Sequence, residues 1–194
     1  MHKALQVGQW HRRQLLSLMA LSGLTSPARR AWANTSGLAE QAPALLPQAQ
    51  KLGTATYRYF GLAIYDMSLY ALAPFKAAQF STVALALELR YARSLSGQAI
   101  AERSLAEMRR AAPFDAGREA RWLGAMRAAF PDVKEGDRLT GVHDGKGGVQ
   151  FWFNGKLTHT LQDPEFARLF FGIWLAPTTS EPALRERLLE RLSA

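Results

Sequence analysis

The chain has 194 residues, 48% of them hydrophobic, which suffices for one domain with its own core. A formal charge of +8 invites a nucleic-acid partner, but residues 1–33 hold five of the basic residues and no acid, and the remainder carries only +3. With no cysteine, disulfides, thiolate catalysis, Cys-ligated metal and lipid attachment through an N-terminal Cys are excluded.

In chain order, residues 1–33 read as a signal peptide. A basic start (Arg12, Arg13) precedes a short apolar run from Leu15 to Leu24, and Ala31-Trp32-Ala33 supplies a small-x-small cleavage pattern. The run is shorter than the roughly 20 residues a spanning helix needs. Arg12-Arg13-Gln14-Leu15-Leu16 resembles the twin-arginine export signal, with His11 where Ser or Thr is usual, and Arg29-Arg30 suits the same route. Cleavage after Ala33 and a periplasmic location are therefore expected, with no membrane span once the leader is removed. Residues 34–50, rich in Ala, Gln and Pro, read as a loose lead-in, and residues 51–194 as the folded domain.

From Lys51 the texture is β. LGTATYRYFG and LAIYDMSLYALA are rich in Tyr, Thr and Ile and are separated at Gly61. In VALALELRYAR the alternation puts Val83, Leu85, Leu87, Leu89 and Tyr91 on one face and Ala84, Ala86, Glu88, Arg90 and Ala92 on the other. The period then lengthens. Ser94 or Ser96 caps a helix to about Ala111, and a second helix spans roughly 118–130 with Trp122, Met126, Ala129 and Phe130 inward before Pro131. DRLTGVH and VQFWF follow around the turn DGKGG, and Asn154-Gly155 closes a hairpin into KLTHTL.

Asp163 caps a further helix, with Pro164 at its first position, that runs to about Ala176. Phe166, Leu169, Phe170, Ile173 and Trp174 form its apolar stripe, most of it core and one or two members facing a cleft. A final amphipathic helix covers about 181–192. Strands clustered apart from helices predict an α+β domain, a mostly antiparallel sheet with helices layered on one face.

LGTATYRYFGLAIYDMSLYA, LELRYARSLSGQAIAE, FPDVKEGDRLTGVH, FWFNGK and DPEFARLFFGIWLAPTTSEPALRERLL together resemble the chalcone isomerase family, in its bacterial chalcone isomerase-like branch. The resemblance runs from about Lys51 to Leu192 and implies an open-faced β-sandwich with a ligand cleft between sheet and helices. In the plant enzymes it implies an arginine that stabilises a phenolate, with a threonine, a tyrosine, an asparagine and a late Thr or Ser around the substrate. Here the arginine position falls at Ala55, the strand threonine near Tyr65, the tyrosine at Ile100 and the asparagine at Glu107. No Ser or Thr lies between Asp163 and Pro177. Chalcone-type cyclisation is not expected without that arginine. The family's plastid fatty-acid-binding members use the same arginine for a carboxylate, so their ligand does not transfer directly.

The candidate ligand-binding residues are Tyr65, Arg90, Ile100, Arg103 and Glu107, with no catalytic set. Arg90 sits amid alanines, where a guanidinium has room to clasp an anion; otherwise it is a surface residue paired with Glu88 or a neighbouring strand. Tyr65 is either a cleft hydroxyl or a core residue with its OH at the rim. Glu107 holds a cleft position or a solvated one, with Arg103 as an i, i+4 partner. His143 and His159 lack ligand spacing, and DGKGG lacks the Lys-Ser/Thr ending of a phosphate loop, so neither metal nor cofactor is expected.

The leading expectation is a non-catalytic exported protein that binds a small amphipathic molecule, such as a fatty acid or aromatic acid. One alternative is an isomerase or intramolecular lyase built on Tyr65, Arg90 and Glu107. Another is a partner-binding scaffold whose cleft is filled by Ile100, Trp122 and Phe170.

Overall fold

Asn154 and Gly155 take φ of 48° and 82°, the pair of positive values a tight type I′ hairpin requires. That turn joins β5 (Gly148–Phe153) to β6 (Lys156–Gln162), the last two strands of a six-stranded sheet. The others are β1 (Gln50–Tyr59), β2 (Leu62–Ala71), β3 (Leu85–Tyr91) and β4 (Arg138–His143). Each strand pairs antiparallel with the next in sequence, an uninterrupted meander. The computed structural model describes residues 40–192, so the signal peptide expected at residues 1–33 and its expected cleavage point lie outside the described residues.

Helix α2 (Gly97–Ala111) starts where the Ser96 side chain accepts from the Ala99 N–H, and α3 (Ala116–Ala129) where Asp115 accepts from Arg118. In α4 (Pro164–Leu175) Asp163 accepts from both Glu165 and Phe166, with Pro164 in the first turn where a missing N–H costs nothing. A short α5 (Pro182–Leu188) packs on β1. These four helices cover the sheet face that carries Leu85, Leu87, Leu89 and Tyr91. Trp122, Met126, Phe166, Phe170 and Phe171 complete that core. The domain is α+β, a mostly antiparallel sheet with its main helical layer on one face. Among the described residues, no helix is long and apolar enough to cross a membrane.

The opposite face differs from the sequence expectation. Part of the supposed loose lead-in forms α1 (Ala42–Leu45), and Ala42 is fully buried against Tyr70, Ala86 and Val142. The cause is Glu88, whose Oε2 accepts from the backbone N–H groups of Gln41 (2.6 Å) and Ala42 (3.1 Å) while Oε1 is held by the Arg138 guanidinium. A buried carboxylate needs such partners, and the small Ala86 leaves room for the segment that brings two of them.

Candidate functional site

Between the sheet and the α2–α4 layer lies a cavity of about 360 Å³. Its floor is Leu87, Leu89 and Tyr91 of β3 with Leu139 and Gly141 of β4. Its roof is Ile100 and Ser104 of α2 and Phe170, Ile173 and Trp174 of α4. A Cβ on Gly141 would lie 3.4 Å from the Phe171 ring, so the residue's small size keeps that floor low. Apolar walls with a few converging polar groups are the usual make-up of a small-molecule site.

Three tyrosines from adjacent strands form one wall. Tyr57 pairs with Tyr65 across β1–β2, and Tyr65 with Tyr91 across β2–β3. The first two rings stack with centroids 5.1 Å apart; Tyr91 meets Tyr65 edge-on at 5.8 Å. The Tyr65 hydroxyl accepts from Trp174 Nε1 at 3.3 Å, which leaves its own proton available to an acceptor in the cavity. Burial raises its pKa far above that of an ordinary tyrosine, with Trp174 opposing, so the group stays neutral.

The polar groups gather where lining residues become exposed. Glu107 is 8% exposed and takes three partners: Arg103 at 2.7 Å, Arg110 at 2.9 Å and the Ser180 hydroxyl at 2.9 Å. Burial works to raise its pKa, but Arg110, Ser180 and the charge of Arg103 together hold the carboxyl below its ordinary value. Arg110 also donates to Thr178 O, which ties α2 to the segment after α4. Ser180 and Glu181 from that segment line the same opening.

Of the five sequence candidates, Tyr65, Ile100, Arg103 and Glu107 line one cavity. Arg90 does not, and its proposed role as an anion clasp is corrected. It lies on the opposite sheet face, exposed, with its guanidinium 2.9 Å from Asp66. The space its small neighbour implied is occupied by α1. Ile100 and Phe170 face the cavity without closing it, whereas Trp122 is in the closed core, its Nε1 donating to Asp163 at 2.8 Å. Ala55 is buried in β1 without lining the cavity.

Sequence reasoning missed Tyr57. Counting back from the Tyr59–Leu62 pair would set it against Ile64, but a bulge between Tyr57 and Arg58 shifts the register by one and stacks it on Tyr65. Bulges leave only a weak signal in sequence. Among the described residues, no cluster of three His, Asp or Glu side chains is placed to hold a metal.

Comparison with known proteins adds three findings. A family described as chalcone isomerase-like matches residues 46–190. An uncharacterized protein of Haemophilus influenzae is 27% identical over 140 residues, covering 72% of this chain and 67% of that one. The crystal structure of an Arabidopsis thaliana fatty-acid binding protein superposes with a TM-score of 0.57 at 11% identity, covering 74% of this chain and 88% of that one.

Proposed function

The chain belongs to the chalcone isomerase-like family, and on that premise we propose that it is a non-catalytic carrier of a small amphipathic molecule, a fatty acid or an aromatic acid, in the periplasm. The observation that carries this reading is the apolar cavity of about 360 Å³ with its charged groups confined to one opening. An apolar body fits among Leu87, Leu89, Ile173 and the aromatic rings, and an acidic head fits at the opening. Arg103 is the cation for that head. Its side chain is 67% exposed, so its pair with Glu107 is weak, and Glu107 keeps Arg110 and Ser180 if Arg103 turns away.

Ala55 stands where the family resemblance places the arginine that stabilises a phenolate, which supports a non-catalytic reading. The likeness to the Arabidopsis fatty-acid binding protein supports the ligand class by fold analogy alone. The periplasmic address rests on the leader pattern of residues 1–33.

The test is native mass spectrometry on protein expressed from its full reading frame and recovered from the periplasmic fraction. The expected result is a chain beginning at Asn34 that carries a reproducible extra mass, released on denaturation as an aliphatic or aromatic acid. A clean apo mass under gentle conditions overturns the ligand reading. Recovery from the cytoplasm with residues 1–33 intact overturns the export reading.

A further inference from the structure

The turn between β1 and β2 repeats the geometry of the β5–β6 turn with a different residue. Phe60 and Gly61 take φ of 47° and 80°, close to the 48° and 82° of Asn154 and Gly155. Asn suits the left-handed position; a bulky aromatic there is a rare and strained choice. Folding does not explain it, because Phe60 is 87% exposed and its ring is edge-on to that of Tyr59, itself 56% exposed. Leu62, 54% exposed, completes an apolar tip that bears the strain and the exposure together.

Two cations bracket the tip. Arg58 donates to Gly61 O at 3.2 Å and Arg93 to Ala63 O at 3.0 Å, which brings both guanidinium groups beside the turn. Asp66, the acid farther along β2, is engaged by Arg90 and Thr56. At the same end of the sheet, the β5–β6 turn presents exposed Lys156 and Leu157. Tyr59 and Ile64, on either side of the tip, are also walls of the cavity.

We propose that the β1–β2 tip is a membrane-contact element that seats Tyr59, Phe60 and Leu62 in the interface of an anionic bilayer, with Arg58 and Arg93 at the phosphates. Aromatic and leucine side chains flanked by basic ones are the composition that settles at such an interface. A narrow protruding turn offers far less area than the roughly 800 Å² per partner of a stable protein interface, whereas a lipid surface yields around it. Tyr59 and Ile64 would then bring one wall of the cavity close to the reservoir of apolar molecules. The contact itself does not require the cavity to hold a ligand.

The chain has no cysteine, so a single one reports its own position. Leu62→Cys carries an environment-sensitive fluorophore, and Lys146→Cys, in the exposed β4–β5 turn at the other end of the sheet, carries the same label as reference. The probe surface is a vesicle of phosphatidylcholine with one-third phosphatidylglycerol. The label at 62 is expected to blue-shift and brighten severalfold on these vesicles, weaken with salt, and lose the response when Phe60→Ser is added. The label at 146 should stay unchanged.

Equal responses at both labels, or no response at 62, overturn the proposal. So does a response indifferent to Phe60→Ser, or one as large on pure phosphatidylcholine. A shift at 62 that grows with protein concentration in the absence of vesicles overturns it in favour of a second copy of the chain.

Discussion

Glu107 and Arg103 form one ion pair but carry unequal weight. The Glu107 carboxylate is buried and takes two arginines and a serine, while the Arg103 guanidinium stands mostly in water. Removing the acid loses its hydrogen bonds from both Arg110 and Ser180, so Glu107→Ala should cost about 2 kcal/mol in urea unfolding, the scale of hydrogen bonds to a charged group. Arg103→Ala should cost under about 0.5 kcal/mol, as exposed pairs do, yet weaken binding of an acidic ligand. A variant pair that behaved alike in both measurements would refute this division of labour.

A second residue carries a pH signature. Both nitrogens of His143 are buried without a well-formed hydrogen bond, and burial pushes its pKa below the ordinary 6.5 against the pull of Asp144 and of the nearby Val83 backbone. A depressed histidine is protonated more readily in the unfolded chain, so it favours folding fully above pH of about 6.5 and loses that contribution as pH falls through its folded pKa. His143→Gln should therefore flatten the fall in melting temperature between neutral and mildly acidic pH; an unchanged slope would remove His143 as its cause. None of this is legible from a lone His in a strand. Tyr65, Ile100 and Glu107 are marked by the positions of the family's substrate residues and Arg103 by its i, i+4 spacing to Glu107, whereas Arg90 misled because alternation identifies a face without saying what covers it.

At the scale of elements, α4 is the piece that roofs the cavity and holds the core together. Its cap residue Asp163 serves two structures at once: it accepts from Glu165 and Phe166 N–H groups, and from Trp122 Nε1 on α3. Asp163→Ala removes the cap and leaves a buried indole N–H unpaired, so unfolding free energy should fall by about 2–3 kcal/mol. Asp163→Asn, which keeps an acceptor, should recover most of it; if both variants lose equally, the charge rather than the hydrogen bonding is what α4 needs. Gly97 shows a different constraint, since a Cβ there would meet Phe130 O at 1.9 Å, so Gly97→Ala must displace α2 from the chain after α3. The caps, prolines and periods of α2, α3 and α4 were readable because they are local signals. Helix α1 was not, because four residues of Ala, Pro and Leu become helical only through Glu88, some 46 positions away in sequence.

At the scale of the molecule, the sheet is covered unequally: four helices on one face around an open cavity, and a short strap on the other. Empty apolar space in a folded protein forfeits packing that a ligand can restore, so occupancy and stability should move together. A ligand at about a hundred times its Kd adds about 2.7 kcal/mol, which for a domain of this size raises the melting temperature by about 5–10 °C. Ala99 is exposed at the cavity edge, so a large side chain there covers the opening without entering the core. Ala99→Trp should leave the melting temperature of the empty protein unchanged and abolish most of the ligand-induced rise. If the rise persists in this variant, the ligand sits elsewhere; if the empty protein is itself stabilised, the tryptophan has folded inward and the cavity is a packing defect that a side chain can fill.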